Sequence, residues 1–556
     1  MEKNEQSKIA GMLRGLFAWL RSHPAWIAIF LVFALYFATR VIYLKGAWIF
    51  SDESHYVRWA QMAQAGNPWY SLIYDGKPPL HAWSIVPFLY LFKDPLIAGR
   101  ISSVFFGALT MVGLIMLGRE FEDLGLGALA AFLYVICPYT LIYNRVVEAE
   151  GMLLALFVFA SFFAVKAARS GRLLYLLGTG VATGLALLTK GTALLLYPIV
   201  PFAYLVREPG RKDAGKNRPL VRWLVGVALS LVMGYGILNL QRLSSAYQRR
   251  SHVITGRTKS FGEAFKTLGD VPKFLHSIFG SLFRFLTPAV FVICFAGLVL
   301  GLVLRWRPAY FLWVWFIIGT AVISLISKNY WPRFYLVLLP PMLFGGAYAV
   351  HRFAQNLVGN WKDRRSGWKG RATVMMLIAV VVIPLVAIPV GIKTEQIMGF
   401  EFVPGGNYIA AGIDEVVSYL KDNSRDGKIT VFTVSRDYGF LSRCLEMYLP
   451  DNANIDIEDL PHPVAPGPIP LPRSAGLSEV LARNRAPIEK ALKSGLIYIL
   501  VDSARFDGDA GDWQIEVVEK YGYPKVKELD VVTVNPQPAE RDSLFLIRVD
   551  SNGKPP

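Results

Sequence analysis

Two short motifs carry the groups that could activate a hydroxyl and bind a phosphate. Ser51-Asp52-Glu53-Ser54-His55-Tyr56 sets two carboxylates beside an imidazole and a phenol. A carboxylate held just above a bilayer can take a proton from a nucleophilic hydroxyl. The same residues also read as a helix start, with Ser51 or Asp52 as N-cap and Glu53 as a first-turn acid. The two readings are compatible. In Asp75-Gly76-Lys77-Pro78-Pro79-Leu80, Gly76 permits a tight turn and the prolines suit a first helical turn. The Lys77 ammonium is then a phosphate partner at the membrane surface.

Further along, Glu148 and Glu150 follow Arg145, Lys190 sits in Thr189-Lys190-Gly191, and Arg333 and Tyr335 fall in Pro332-Arg333-Phe334-Tyr335. Each has a structural alternative: a salt bridge to Arg145, a snorkelling lysine, an interfacial aromatic belt. The belt accounts for Tyr and Trp, but not for the two cations Lys328 and Arg333. Arg40, Arg58 and Arg100 complete a set of ionisable residues that gathers at one set of helix ends.

The elements that must hold these groups are membrane spans. The 556 residues are 54% hydrophobic and 18% charged, against about 45–50% and about 25% in an ordinary soluble domain. The excess lies in blocks of bilayer-crossing length, near 25–44, 97–118, 125–144, 148–168, 173–189, 190–206, 221–239, 285–304, 309–327, 333–350 and 373–392. This composition excludes disorder, and Cys137, Cys294 and Cys444 exclude a disulfide scaffold. Leu80–Phe92 is apolar but too short to be counted with the eleven blocks.

Lys and Arg concentrate in cytoplasmic loops, and here they crowd 207–222 and 351–371. These loops share a side with the basic N-terminus only if 80–92 does not span. The N-terminus is therefore expected inside, residues 45–96 outside as one loop with an interfacial helix, and the C-terminal part outside. The first block lacks a small-residue cleavage site and reads as an uncleaved anchor. The loop 240–284 is expected outside yet strongly basic, which suits an anionic ligand or lipid head groups equally.

After 392 the pattern becomes that of a soluble α/β domain, 393–556. It has strand-like runs at Lys428–Val434, Ile497–Val501 and Ser543–Val549, and helix-like stretches at Ile413–Lys421 and Leu477–Lys493. Pro461–Pro472 is a proline-rich spacer. The net charge of +17 is mostly membrane orientation, so no nucleic-acid partner is expected.

Asp52-Glu53 with Tyr56, Gly76-Lys77-Pro78-Pro79-Leu80, Glu150, Leu188-Thr189-Lys190-Gly191 and Pro332-Arg333-Phe334-Tyr335 before Pro340-Pro341 resemble a known family over roughly residues 20–350. The chain resembles the GT-C integral-membrane glycosyltransferases, in the bacterial branch of the dolichyl-phosphate-mannose protein mannosyltransferases that includes the lipid A aminoarabinose transferases. It departs from them in having Glu150 where relatives often have Asp, and the C-terminal domain matches no family.

The resemblance implies a polytopic α-helical GT-C fold of about eleven spans with the small C-terminal α/β domain. It implies transfer of a sugar from a polyprenyl-phosphate donor to a lipid, glycan or protein acceptor outside the cytoplasmic membrane, with inversion. Asp52 would be the catalytic carboxylate, Glu53 its neighbour and alternative base, and Glu150 a third catalytic carboxylate that positions the acceptor, orients a lysine or helps hold a divalent cation. Lys77, Lys190 and Arg333 would bind the donor phosphate, with His55, Tyr56, Glu148 and Tyr335 completing the substrate site. Some relatives use a divalent cation, for which Asp52, His55 and Glu150 could supply ligands, although no spacing here is diagnostic.

Two other functions fit many spans and membrane-level charges: a transporter or lipid-linked sugar flippase, and a non-catalytic assembly factor. A transporter expects its charges at the midplane and a duplicated half. Here they gather at one face, and no internal repeat is visible.

Overall fold

The structure is a computed structural model. It describes residues 24–42, 44–45, 49–207, 219–244, 247, 259, 261–266, 268–327, 332–362, 408–409, 413–425, 427–434, 440–449, 454–459, 496–502 and 544–549. The chain divides into two compact units, the first comprising Met1–Leu44, Asn67–Ser84 and Arg100–Gly399, the second Lys45–Gly66, Ile85–Gly99 and Phe400–Pro556.

The first unit is helical and apolar. Among the described residues, five helices are long and apolar enough to cross a membrane, Pro95–Phe121, Ala149–Ser170, Leu220–Leu243, Arg307–Ile326 and Pro332–Asn356, and a bent pair raises this to six. Eleven spans were expected. Apolar helices stand at four further expected positions, Ala25–Val41, Leu124–Ile136, Tyr175–Thr189 and Gly191–Val206, but each is shorter than a regular span. The block 373–392 lies outside the described residues.

Local chemistry explains the short helices. The block 125–144 breaks at Cys137 because Pro138 starts a new helix, Pro138–Tyr143. Gly191–Val206 is mostly 3₁₀, carrying Pro198 and Pro201. The 3₁₀ rise of about 2.0 Å per residue lets this segment reach about 30 Å, the thickness of the hydrocarbon core.

The expected block 285–304 begins instead at Pro288. It is preceded by a separate helix, Val271–Leu286, at a bend of 114°. That helix falls inside the stretch read as a basic loop. Phe274, Ile278, Leu282 and Phe285 recur at helical spacing and are buried, while Lys273 stays exposed. The joint residue Thr287 has φ +69°, uncommon for a β-branched side chain.

Small residues bring the helices together. Between Pro288–Val303 and Leu339–Lys362, Gly297 faces the Gly345 carbonyl and Gly345 faces the Cys294 carbonyl, with no room for a Cβ at either place. Trp315 is fully buried, stacks on Phe157 at 5.1 Å and donates to the Val337 carbonyl at 2.9 Å. Arg40 is also fully buried. It donates to Thr39 and Thr140 hydroxyls at 2.7 and 3.2 Å and stands 4.9 Å from the Tyr36 ring, so its desolvation is offset by hydroxyl and π partners.

The second unit contains two sheets. β1 (Ile49–Phe50) pairs antiparallel with β2 (Tyr408–Ile409), in the register Ile49↔Ile409 and Phe50↔Tyr408. The other sheet has the order β4-β3-β5-β6, from β3 (Ile429–Val434), β4 (Ile455–Asp459), β5 (Leu496–Asp502) and β6 (Leu544–Val549). β3 is parallel to both β4 and β5, and β6 is antiparallel to β5. Helix Phe440–Tyr448 makes the crossover that a parallel pair requires. Three of these strands stand where the alternation of apolar residues placed them; β4, with its acidic Asp456, Glu458 and Asp459, was not anticipated. The expected helix 477–493 and the spacer 461–472 lie outside the described residues.

The expected division at residue 392 differs from these units. Residues 45–66 and 85–99 group with the C-terminal part, because β1 pairs with β2 and helix Ser51–Gln64 packs on helix Phe440–Tyr448. Arg58 adds an ion pair to Glu446 at 3.1 Å, and Gln61 donates to the Met447 carbonyl at 2.9 Å.

Candidate active site

In the first unit, four of the sequence-predicted residues meet. Glu150 lies in the first turn of helix Ala149–Ser170, where a carboxylate suits the positive helix end, and Glu148 is its N-cap residue. Lys190 caps the C-terminus of Tyr175–Thr189 in extended conformation, which turns its side chain out of the helix line. Arg333 enters on the 3₁₀ segment Pro332–Leu338.

Arg333 Nη1 donates to Glu148 Oε1 at 2.7 Å, and its Nε stands 3.5 Å from Glu150 Oε1. Lys190 Nζ closes on the same Glu150 oxygen. Glu148 and Glu150 are 1% and 2% exposed, so neither charge would be tolerated there without its cation. The Phe334 ring lies under both cations, 4.7 Å from Lys190 Nζ and 5.8 Å from the Arg333 guanidinium carbon.

Lys77 stands just after Gly76, whose φ of +62° ends helix Tyr70–Asp75 in the left-handed conformation that glycine adopts freely. Its Nζ is 3.3 Å from Asp75, and its carbonyl accepts from the Ser71 hydroxyl at 3.3 Å. Four residues on, His81 is buried at the start of helix Leu80–Leu91. Burial lowers its pKa, Glu150 pulls it back, and Lys190 and Lys77 lower it again, to about 3. The imidazole is thus neutral at ordinary pH and lies within electrostatic reach of three predicted site residues.

Sequence reasoning missed His81, although it stands one residue beyond Lys77-Pro78-Pro79-Leu80. It also missed Tyr143, which is within electrostatic reach of Arg333, Glu148 and Glu150. Tyr143 had been counted as the end of a span. Tyr335 is buried, with its hydroxyl 3.2 Å from Ser277 on the amphipathic helix, and so links that helix to the Arg333 segment.

The remaining predicted residues belong to the second unit, on helix Ser51–Gln64. Asp52 is partly exposed at its first turn. Glu53 is fully buried and accepts the Phe50 N–H at 2.8 Å, the backward reach of a first-turn carboxylate to its N-cap. Tyr56 is buried edge-on to Trp59 at 5.1 Å, and His55, partly exposed, meets the same ring at 5.9 Å. In this unit burial pushes the Cys444 thiol above its ordinary range; a hydrogen bond from Ser54 opposes that rise and Glu53 adds to it.

Among the described residues no group of three His, Cys, Asp or Glu side chains is placed to hold a metal ion, and Glu148 and Glu150 are engaged by cations. The donor set here does not fit a divalent cation. What the arrangement can do is present an ammonium and a guanidinium, fixed by buried carboxylates, to an anion.

A family described as dolichyl-phosphate-mannose-protein mannosyltransferase matches residues 76–236, a stretch that contains Lys77, His81, Glu148, Glu150 and Lys190. Over that stretch the chain is similar to the family. Among solved structures, 98% of the chain aligns with 100% of ArnT from Cupriavidus metallidurans in the apo state, at TM-score 0.58 and 14% identity. For the same protein bound to undecaprenyl phosphate the figures are 95%, 98%, 0.56 and 14%. The oligosaccharyltransferase of Archaeoglobus fulgidus in its apo form aligns over 90% of this chain and 72% of its own, at TM-score 0.58 and 12% identity. No curated protein matches the sequence. The mannosyltransferase match leaves Asp52 and Arg333 outside its bounds.

Proposed function

We propose that this chain is a glycosyltransferase that takes a sugar from a polyprenyl-phosphate carrier and transfers it, by one inverting displacement, to an acceptor hydroxyl on the outer face of the cytoplasmic membrane. The acceptor oxygen bonds to the anomeric carbon as the bond from that carbon to the phosphate oxygen breaks. Asp52 removes the hydroxyl proton, and the polyprenyl monophosphate leaves with the bonding pair. The leaving phosphate gains negative charge in the transition state, and Lys77, Lys190 and Arg333 stabilise that charge. Glu148 and Glu150 fix the two cations before the donor arrives, so little reorganisation is needed during the reaction.

The observation that carries this reading is the convergence of Lys190 and Arg333 on one buried carboxylate oxygen, in a chain whose residues 76–236 match a dolichyl-phosphate-mannose-protein mannosyltransferase family and whose fold is similar to that of an ArnT bound to undecaprenyl phosphate. A lipid-linked donor cannot leave the bilayer, so its phosphate must be bound at the membrane surface, and the basic loops read as cytoplasmic support an outer position for these residues. The acceptor is a lipid, glycan or protein hydroxyl approaching from the aqueous side. Purified protein assayed against a panel of polyprenyl-phosphate sugars tests the reading. Transfer from one of them, abolished in Asp52→Asn with donor binding retained, is the expected result. Transfer unchanged in that variant would remove Asp52 from the chemistry.

A further inference from the structure

The second unit contains a cavity of about 670 Å³ that the transfer chemistry does not use. Its walls come from helix Ser51–Gln64, the end of helix Leu80–Leu91 and helices Ile413–Asn423 and Phe440–Tyr448. Lys45, Lys93 and Lys421 line it, with Gln64 and the apolar Leu89 and Phe92. One cation is neutralised locally, Lys45 by Asp94 at 3.3 Å. The cavity lining thus combines lysines with apolar side chains, the two requirements of an amphiphile with an anionic end.

Its surroundings fix which amphiphile. Tyr90 and Leu91, at the tip beside the cavity, are 72% and 73% exposed. Two residues beyond Lys93 begins the long span Pro95–Phe121. The tip therefore lies at the outer bilayer surface, where lipid covers its exposed apolar side chains. Lys45 is held by Asp94 at 3.3 Å, so Lys93 and Lys421 are the cations that this lining offers to a lipid phosphate.

We propose that this cavity binds the phosphate-bearing head group of an outer-leaflet lipid that is not a substrate. Lys93 and Lys421 contact the phosphate, Gln64 meets the head-group hydroxyls, and the acyl chains descend beside Leu89, Tyr90 and Leu91. The bound lipid holds the end of the interfacial helix at the membrane surface.

The test uses the full-length protein in phosphatidylcholine vesicles carrying a photoactivatable phosphatidylglycerol, with cross-links mapped by peptide. Cross-links are expected in 85–99 and 413–423, stronger than with a phosphatidylcholine probe. Each of Lys93→Gln and Lys421→Gln should weaken labelling about fivefold, and Lys93→Arg with Lys421→Arg should restore it. The substitutions are at exposed side chains, and unchanged glycosyl transfer in detergent verifies that the variants are folded. Equal labelling by both probes, or unchanged labelling in the Lys93→Gln/Lys421→Gln variant, would overturn the proposal. Displacement of the label by soluble glycerol phosphate as readily as by phosphatidylglycerol would assign the cavity to free phosphate esters and overturn the lipid.

Discussion

Lys190 and Arg333, far apart in sequence, are held against the same oxygen of Glu150, and Arg333 also reaches Glu148. The two carboxylates fix where these long side chains stop. A lysine or arginine left free loses about 2 kcal/mol of rotamer entropy when it binds. Here that cost is met on folding.

Arg333 is expected to resist conservative replacement. Its Nη1 and Nε address two different carboxylates, and a point-like ammonium cannot do both. Arg333→Lys should therefore lose about 10²–10³ in kcat, close to Arg333→Ala, the scale of one lost transition-state donor. Steady-state transfer with a defined polyprenyl-phosphate sugar measures this.

Asp52 and Glu53 separate by substitution. Glu53 is committed to the Phe50 N–H and is fully buried. Glu53→Gln preserves an acceptor and should leave kcat within about tenfold, while Glu53→Ala should lower stability by about 0.3–1.5 kcal/mol. Asp52→Asn should lower kcat by about 10²–10⁴, the general-base contribution. Parallel rate and thermal-melt measurements on the three variants decide it.

His81 makes the fold acid-sensitive. Its pKa falls from 6.5 to about 3 on folding, so below pH 6.5 the unfolded chain takes up a proton that the native one refuses. Stability from this residue is intact above pH 6.5 and declines as pH falls towards 3, by up to about 1.4 kcal/mol per unit. Melting temperatures in detergent should fall less steeply over that window in His81→Gln than in the wild type.

Gly345 should tolerate no side chain. Its helix touches the Cys294 carbonyl of the facing helix, and Gly345→Leu would force the pair apart at a cost of about 1–3 kcal/mol or more. A lowered melting temperature and loss of monodisperse protein on size exclusion are the expected readouts.

Much of this was legible in the sequence. Apolar blocks announce membrane helices because nothing else repays such composition, and helices stand at every expected span position that is described. Their lengths were not legible, since a 3₁₀ winding such as that of Gly191–Val206 depends on proline placement and packing. Helix Val271–Leu286 was hidden because counting Lys273 and Arg284 drew attention from the spacing of Phe274, Ile278, Leu282 and Phe285. The motif residues Lys190 and Arg333 were visible, but their sharing of Glu150 is a tertiary fact. His81 looked like an ordinary helix residue, because its environment is completed by Glu150 and Lys190 from two distant stretches. The pairing of Ile49–Phe50 with Tyr408–Ile409 had too few residues to signal itself.

That two-residue ladder sets a clock. Residues 49–50 leave the ribosome about 350 residues before their partners 408–409 exist, an interval of about 20–70 s at ordinary rates of synthesis. Throughout it, the segment leading into Asp52 has no strand to pair with. A chain cut short between Lys362 and Tyr408 carries every membrane helix among the described residues, yet lacks the strand that Ile49–Phe50, leading into Asp52, pairs with.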